Sequence, residues 1–311
     1  MSFAQDVRAG LTATPKRLLP KYFYDELGSA LFEAITALPE YYLTRAETEI
    51  LRDRSSEIVE AVGGGPIELI ELGSGSAIKT RYVIDATLAR QPALRFCPID
   101  ISIAALDASA KALTREYPSI VVDGINADYL TGLTRLSRNG ARRRLALFLG
   151  SNIGNFEPEE ARSTLRALRA VLEPGDRFLL GADLKKDREV LERAYDDATG
   201  VTAAFNRNLL GRINRELGGH FDLDAFRHRA SFSDERSRVE IELVSTKRQE
   251  APIDDLAIVA RFEEGEPIHT ESAYKFDAAS IDQLARSTGF DVAGSWTDAQ
   301  RRFADFLLVA R

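Results

Sequence analysis

The sequence predicts an α/β fold whose central sheet is parallel and covered by helices on both faces. The first observation is a series of short apolar runs, which lie at 67–72, 94–100, 119–129, 145–150 and 176–183. The second is that helix-period stretches separate most of these runs, at 78–90, 103–116 and 158–172. Strands that alternate with helices in this way form parallel sheets that are buried on both faces.

The C-terminal residues predict how this sheet ends. A helical stretch at 277–288 is followed by two strand patterns, 289–296 and 303–310, which a short turn connects. Strands that are joined so tightly pair in antiparallel fashion. We therefore expect a reversed C-terminal strand pair that closes the sheet.

The remaining segments predict a second domain of the α+β class. Residues 1–20 are polar and contain two prolines, which favours an extended lead-in, and residues 21–60 are helical in pattern with a break at Pro39. Residues 186–270 combine a helical stretch with strand patterns, at 187–218, 226–232, 237–248 and 257–264. The two expected domains consist of 47–185 with 276–311 and of 1–46 with 186–275.

Composition excludes several classes of protein. The chain has 311 residues and a formal net charge of −7, which argues against a dedicated nucleic-acid binder. No apolar run approaches the ~18 residues of a membrane span, and the N-terminus lacks the apolar segment of a signal peptide. With one cysteine, Cys97, and three histidines, we expect no disulfide and no metal site. The expected compartment is the reducing cytoplasm.

A glycine-rich turn follows the first predicted strand. It reads Glu71-Leu-Gly73-Ser74-Gly75-Ser76. Glycines adopt positive φ angles and let the backbone approach a ligand, and ligands of open α/β sheets lie beyond the carboxyl ends of the strands. The turn therefore predicts a cofactor site that includes Gly73, Ser74 and Gly75. The alternative is an ordinary strand-to-helix turn.

Two acids follow the next strands. Asp100 ends the second strand, where a carboxylate can accept both hydroxyls of a ribose; the alternative is a helix N-cap for 103–116. Asp128 follows the third strand and suits contact with an adenine amino group; the alternative is an ordinary loop acid. Both patterns favour a nucleoside-containing cofactor.

Two cofactors of that kind fit these residues. A dinucleotide site requires G-x-G-x-x-G, but the last position here is Ile78, so that fingerprint is incomplete. The acid at the end of the first strand and the antiparallel C-terminal pair both favour S-adenosylmethionine. We expect S-adenosylmethionine as cofactor and S-adenosylhomocysteine as product, with a nicotinamide dehydrogenase as the alternative.

Several long segments resemble one known family. These segments are PKYFYDELGSALFEAITALPEYYLTRAE, ELGSGSAIKT, LFLGSNIGNFEP, AYDDATGVTAAFNRNLLGRINRELGGHF and IHTESAYKF. From about residue 15 to the end, the chain is similar to the S-adenosylmethionine-dependent histidine Nα-methyltransferases of ergothioneine biosynthesis. The resemblance implies a Rossmann-like class I methyltransferase sheet plus an α+β substrate-binding domain. It also implies trimethylation of the α-amino group of L-histidine to its betaine, hercynine. We further expect a monomer without nucleic-acid or membrane partners.

The resemblance also implies the site residues, which fall into two sets. Positions that match the cofactor site are Gly73, Lys79, Asp100 and Asp128, with Gly150 where the methyl group should point. Positions that match the substrate pocket are Tyr24, Phe32, Tyr41, Gly150, Asn152, Asn155, Tyr195, Ile241 and Glu271. Tyr41 and Asn155 are the expected catalytic residues, because their hydrogen bonds can orient the lone pair of the attacking amine.

Each of these substrate residues has a plainer interpretation. Asn155 can hold a carboxylate or an amine without adding charge, but it can also serve as a turn or cap residue. Tyr41 and Tyr195 offer hydroxyl groups, although a tyrosine on a helix face is more often part of the core. Phe32 is either an apolar wall of the pocket or a core residue.

The chain departs from the family pattern around the side chain of the substrate. The histidine enzymes carry an acid with a serine two residues later and a methionine on the preceding strand; here these positions hold Glu271, Ala273 and Ile241. Ser272 is next to Ala273, but neighbouring residues in a strand face opposite sides. Asn152 also replaces a hydroxyl residue. Histidine remains the first expectation, another α-amino acid or related amine is the alternative, and a non-catalytic S-adenosylmethionine-binding protein is a lower one.

The remaining chemistry-bearing residues predict structural roles. His220, His228 and His269 lack metal-ligand spacing and are expected at the surface or hydrogen-bonded. Cys97 is expected to be a small buried apolar residue. The run Arg142-Arg143-Arg144 favours a solvated strand edge, and Glu263-Glu264-Gly-Glu266 favours a turn.

Overall fold

The computed structural model describes residues 2–137 and 142–311. Within these residues the α-helices, in chain order, are α1 (Phe3–Thr12), α2 (Glu26–Thr36), α3 (Leu43–Val62), α4 (Thr80–Leu88), α5 (Ile103–Glu116), α6 (Tyr129–Thr134), α7 (Pro158–Val171), α8 (Arg188–Tyr195), α9 (Val201–Leu217) and α10 (Ala278–Ser287). No helix of this described part combines the length and apolar character that a membrane crossing requires.

The strands of the same residues are β1 (Lys16–Arg17), β2 (Ile67–Leu72), β3 (Leu94–Asp100), β4 (Ile120–Val122), β5 (Ile125–Asn126), β6 (Arg143–Phe148), β7 (Arg177–Asp183), β8 (Phe226–Ser233), β9 (Arg238–Ser245), β10 (Gln249–Ile253), β11 (Ile258–Phe262), β12 (Pro267–Tyr274), β13 (Phe290–Thr297) and β14 (Phe303–Ala310).

The chain divides into two compact units. Unit 1 consists of Met1–Tyr42 and Lys186–Tyr274, and unit 2 of Leu43–Lys185 and Lys275–Arg311. The first boundary lies four residues before the expected one, because α3 begins at Leu43 and continues without a break to Val62. That the first unit binds the substrate stays a prediction.

Unit 2 is built on one large sheet with the order β13-β14-β7-β6-β2-β3-β4, and β5 pairs with β3. Strands β2, β3, β4, β6 and β7 pair in parallel, whereas β14 is antiparallel to both β7 and β13. The predicted parallel sheet with its reversed C-terminal pair is confirmed, and its order is Rossmann-like. The carboxyl ends of β2 and β6 flank the point where the winding changes direction, which is where such sheets bind ligands.

Alternation along the central strands places apolar side chains on both faces of this sheet. Ile70 and Leu72 of β2 pack in one core with residues of α7 and α10, whereas Ile67 and Leu69 pack in another core with residues of α3 and α4. Cys97 is buried as expected, and burial raises the pKa of its thiol to about 12. The core on each face holds the ends of β2 and β6 in place.

The basic run at the start of β6 is a correction at Arg144 only, because Arg142 is exposed and Arg143 is half-buried. Arg144 is 2% exposed and its Nε donates to Glu68 Oε2 at 3.0 Å. Glu68 and Arg144 stand opposite each other on the paired strands β2 and β6. A central strand buries both of its faces, so this arginine has to be paired with an acid there.

Unit 1 contains a four-stranded sheet with the order β1-β12-β9-β8 and a separate β10–β11 pair. Its N-terminal part corrects the expectation of an extended lead-in, because residues 3–12 form α1. Ser2 and Gln5 form a capping box at the start of that helix, and Val7 and Leu11 are buried on one face. Because the segment is polar in composition, the helical spacing of Val7 and Leu11 was not recognised in the sequence.

The helical stretch expected at 187–218 consists of two helices, α8 and α9. It breaks between α8 and α9, where Gly200 adopts a positive φ of 78° and Asp197 accepts the backbone N–H groups of Val201 and Thr202. Gly200 is the N-cap of α9, and Asp197 provides acceptors for two of the N–H groups of its first turn, which have no partner within the helix. The break leaves Tyr195 at the C-terminal end of α8.

The expected turn at residues 263–266 is confirmed.

Candidate active site

The glycine turn after β2 lies beside the side chains of Tyr129, at the start of α6, and Asn152, in the loop after β6. Gly73 and Gly75 have positive φ angles of 72° and 49°. A Cβ atom on Gly73 would lie 2.7 Å from the Tyr129 hydroxyl and 3.2 Å from Asn152 Nδ2. Only glycine fits such a position, because any side chain would displace both neighbours. Glycine at this position therefore lets Tyr129 and Asn152 approach the backbone of the turn at the carboxyl end of the sheet.

Asp100 is hydrogen-bonded to that turn. Its Oδ2 accepts the backbone N–H of Gly75 at 3.0 Å, and its Oδ1 accepts the N–H of Ser102 at 2.9 Å. The N-cap of α5 is Ser102, whose side chain accepts from Ala105. The alternative of Asp100 as the cap of this helix is therefore wrong. The carboxylate stands at the end of β3, next to the glycine turn.

Asp128 has a structural role at the start of α6. Its side chain accepts the backbone N–H and the hydroxyl of Thr131, at 3.0 and 2.8 Å. The hydrogen bond from the Thr131 backbone lowers the pKa of the Asp128 carboxyl below its ordinary value. The residue is exposed, so its capping role leaves room for a ligand contact.

Lys79 has a buried partner that the sequence did not indicate. Its Nζ forms an ion pair with Glu47 of α3, whose side chain is fully buried. Glu47 also accepts the backbone N–H of Gly150 through both carboxylate oxygens, at 2.7 and 2.9 Å. The only available signal was an acid between Ala46 and Ile50 in the apolar stripe of a predicted helix.

A second acid at this edge is also buried. Glu71, the last acid of β2, accepts the Thr80 hydroxyl at 2.9 Å. Burial raises the pKa of the Glu71 carboxyl to about 8. A carboxyl with that pKa is mostly neutral at pH 7, so it adds little negative charge near the glycine turn.

The loop after β6 carries the next predicted residues. Gly150 and Ser151 have positive φ angles of 77° and 57°, and Asn152–Asn155 form a single 3-10 turn. Asn152, expected in the substrate pocket, lies beside Gly73 and thus beside the glycine turn. Asn155 is half-buried at the end of the turn. The structure therefore gathers most of the predicted cofactor residues, together with Asn152, at one edge of the sheet.

Unit 1 brings the predicted aromatic residues together. The ring centroids are 5.6 Å apart for Tyr24 and Phe32, 6.3 Å for Phe32 and Tyr41, and 6.2 Å for Tyr41 and Tyr195. Phe205 of α9 packs on Tyr24 and Phe32 at 5.9 and 6.1 Å, and sequence reasoning missed it. Most of these contacts are edge-to-face, and the faces of aromatic rings attract cations.

The expected side-chain pocket residues share one face of the four-stranded sheet. Glu271 of β12 stands opposite Ile241 of β9. Ile241 and Ala273 are each 2% exposed and pack in one apolar cluster, against which Tyr195 also lies. Ser272 is on the opposite face, where its hydroxyl is 3.0 Å from His269 Nε2. The half-buried Glu271 therefore stands next to apolar neighbours, without a serine on its face at position 273.

The histidines are hydrogen-bonded. His228 is buried between Asn206, whose Nδ2 lies 2.9 Å from its Nδ1, and the carbonyl of Tyr195, which accepts from its Nε2 at 2.7 Å. Burial lowers the pKa of this imidazole, which favours the neutral ring. His220 Nε2 lies 3.0 Å from Asp254. Among the described residues, no group of His, Cys, Asp and Glu side chains is arranged to hold a metal ion.

Comparison with known proteins agrees with this arrangement. The model of a family described as histidine-specific, S-adenosylmethionine-dependent methyltransferases matches residues 3–310. The histidine N-alpha-methyltransferase of Mycolicibacterium smegmatis is 45% identical over 98% of this chain and 94% of its own length. That of Mycobacterium tuberculosis is also 45% identical, over 96% and 92%. An L-tryptophan methyltransferase of Psilocybe serbica is 26% identical over 94% and 89%.

The family model covers nearly the whole chain, and the two mycobacterial relatives match it over almost their full lengths. The sheet order with its reversed C-terminal pair, and the glycine turn at the carboxyl end of β2, agree with that match. The chain belongs to the family of histidine-specific methyltransferases that depend on S-adenosylmethionine.

Proposed function

We propose that this enzyme transfers methyl groups to the α-amino nitrogen of L-histidine and carries the reaction to the trimethylated betaine, hercynine. The observation that carries the proposal is the 45% identity, over nearly the full chain, to proteins named histidine N-alpha-methyltransferases. The half-buried Glu271 supports histidine as the acceptor, because a carboxylate can pair with an imidazole N–H.

The turn after β2 fits S-adenosylmethionine. The Ser74 hydroxyl is buried and has no hydrogen-bond partner among the described residues, which suits a polar ligand at this turn. Gly73, Ser74 and Gly75 would hold the cofactor through the turn, with Asp100 at the ribose, Asp128 at the adenine and Lys79 at the carboxylate. When bound, the cofactor supplies an electrophilic methyl group on a positively charged sulfur.

The chain mainly has to orient the amine. Tyr41 and Asn155 would direct the lone pair by hydrogen bonds, and Tyr195 would help to hold the amino-acid backbone. The α-ammonium first has to lose a proton, which solvent can accept. Aromatic faces such as that of Phe32 would stabilise the growing cation by ~0.5–2 kcal/mol each.

Replacement of Asn155 by alanine should reduce activity on every amino-acid substrate alike, because this residue is proposed to hold the common backbone. Affinity for the cofactor should stay nearly constant. Steady-state kinetics with several amino acids and calorimetry with S-adenosylhomocysteine measure the two effects. A loss confined to one type of substrate side chain would instead assign Asn155 to the specificity end of the pocket.

The side-chain end of the site predicts weak binding of histidine. Glu271 can pair with one imidazole nitrogen, but Ala273 and Ile241 offer no partner to the second. An unpaired polar group in a closed pocket costs ~1–3 kcal/mol, although a bridging water can reduce this cost. We expect Ala273→Ser to lower the KM for histidine.

Ala230→Ser is the matched control, because Ala230 stands opposite Ile241 on β8 and packs against the same apolar cluster. It should not improve turnover of histidine. Strong histidine turnover by the parent enzyme, together with no gain from Ala273→Ser, would contradict the missing-partner argument.

A different α-amino acid is the second candidate substrate. The apolar Ile241 and Ala273 favour it, and one relative of similar length is named an L-tryptophan methyltransferase. Incubation with each of the twenty amino acids and S-adenosylmethionine, followed by mass spectrometry, separates the candidates. Methylation of histidine above all others supports the proposal, and a different best substrate would replace it. Methylation of none would indicate a non-catalytic cofactor-binding protein.

We further propose that the enzyme acts as a monomer in the cytoplasm, without nucleic-acid or membrane partners. The net charge of −7 supports the lack of a nucleic-acid partner. Light scattering after gel filtration tests the oligomeric state, and a dimer would contradict it.

A further inference from the structure

Glu47 is a buried acid that connects two predicted cofactor residues. Its carboxylate accepts the N–H of Gly150 through both oxygens and forms an ion pair with Lys79 Nζ. Gly150 is 103 residues away along the chain and Lys79 is 32 residues away. One side chain of α3 therefore holds the loop after β6 and the residue that precedes α4.

The sheet is shaped to admit this carboxylate. Gly181 of β7 pairs with Asp305 of β14. A Cβ atom on Gly181 would overlap Glu47 Oε1 and lie 3.2 Å from Asp305 Oδ1. Glycine at this position therefore provides the space in which the Glu47 carboxylate lies.

Asp305, the other buried acid of this group, makes no such contacts. Neither of its carboxyl oxygens has a hydrogen-bond partner within the described residues. Burial, and the negative charge of Glu47, raise the pKa of Asp305 well above its ordinary value. Both effects disfavour the charged form of Asp305, whereas the Glu47 carboxylate has the Lys79 ammonium as its ionic partner.

We propose that Glu47 is a positioning residue, which keeps the Gly150 turn and the Lys79 ammonium in the arrangement that binds the cofactor. The lysine has a flexible stem and its side chain is 21% exposed, so without its partner it can turn into solvent. The Gly150 turn has a positive φ and needs an acceptor for its N–H. The cofactor part of this proposal rests on the predicted role of Lys79.

The first test measures hydrogen exchange at the Gly150 amide by NMR. We expect exchange to be at least about tenfold faster in Glu47→Ala and to increase less in Glu47→Gln, because an amide oxygen still accepts a hydrogen bond. Glu60→Gln, an exposed acid on the same helix, is the control and should change nothing. The amide of Leu147 in β6 should also stay protected. Parent-like exchange at Gly150 in Glu47→Ala would overturn the proposal.

The second test measures binding of S-adenosylhomocysteine by calorimetry. We expect Glu47→Gln and Lys79→Met each to weaken binding by about tenfold. The double variant should bind no more weakly than the single variant that binds less tightly, because each change breaks the same ion pair. Additive losses would overturn the coupling. Unchanged affinity of Lys79→Met would overturn the cofactor part alone, since the exchange at Gly150 tests the loop part separately.

A third variant separates the two acids. Asp305→Asn keeps the shape of a side chain whose oxygens accept no hydrogen bond within the described residues, so it should bind S-adenosylhomocysteine within about twofold of the parent. The Gly150 amide should remain protected in it. A loss as large as that of Glu47→Gln would overturn the assignment of the charge to Glu47.

Discussion

Lys275→Met is expected to lower the free energy of unfolding by about 3–5 kcal/mol. Lys275 Nζ lies 2.7 Å from Asp183 Oδ2, and the two side chains are 1% and 0% exposed. Removal of the cation leaves the Asp183 carboxylate buried without its lysine. An uncompensated buried charge is the main cause of the lost stability when such a pair is broken. The pair joins the end of β7 to the segment before α10, where Phe276 also donates its N–H to the Asp183 carbonyl.

Denaturation by urea, followed by circular dichroism, measures this effect. Lys185→Met is the matched control, because Lys185 pairs with Asp277 at 2.8 Å but both side chains are over 40% exposed. It should cost less than about 1 kcal/mol. Equal losses in the two variants would contradict the role of burial. The double variant Asp183→Leu/Lys275→Met should recover part of the loss, since it removes both buried charges.

Asp100→Ala is expected to weaken binding of S-adenosylmethionine by ~1–3 kcal/mol, the scale of a hydrogen bond to a charged group. The carboxylate stands at the end of β3, and it accepts the Gly75 N–H at 3.0 Å. The variant therefore loses the proposed partner of the ribose hydroxyls. It also loses the hydrogen bond that holds the glycine turn.

Isothermal titration calorimetry with the cofactor measures this loss. Asp107→Ala, which removes an exposed acid of α5, is the control and should bind as the parent does. Asp100→Asn keeps an acceptor for Gly75 and should lose less than Asp100→Ala. Cofactor binding by Asp100→Ala that equals the parent's would contradict the assignment.

The sheet could be predicted because its strands are apolar runs with clear ends. The runs 67–72 and 94–100 coincide with β2 and β3, since Gly73 and Asp100 mark where each strand stops. Helix α1 could not be recognised by composition, because its buried face consists of few residues, among them Val7 and Leu11. The break after Tyr195 was missed because it depends on capping by Asp197.

The candidate site was predictable only where residues lie next to a strand end or match a family motif. Glu47 and Phe205 were missed, because their partners are distant in the chain and no local pattern predicts the pairing. A basic run such as Arg142-Arg143-Arg144 is ordinarily solvated. Arg144 is buried instead, because it pairs with the buried Glu68 on the neighbouring strand β2 of the sheet.

The proposed acceptor of the methyl groups is the α-amino nitrogen of histidine. It is tested most directly by NMR of the product formed from L-histidine that carries a nitrogen isotope label only at the α-amino group. We expect three equivalent methyl groups whose protons couple to the labelled nitrogen. Methyl groups on the unlabelled imidazole nitrogens, or no methylated histidine at all, would contradict it.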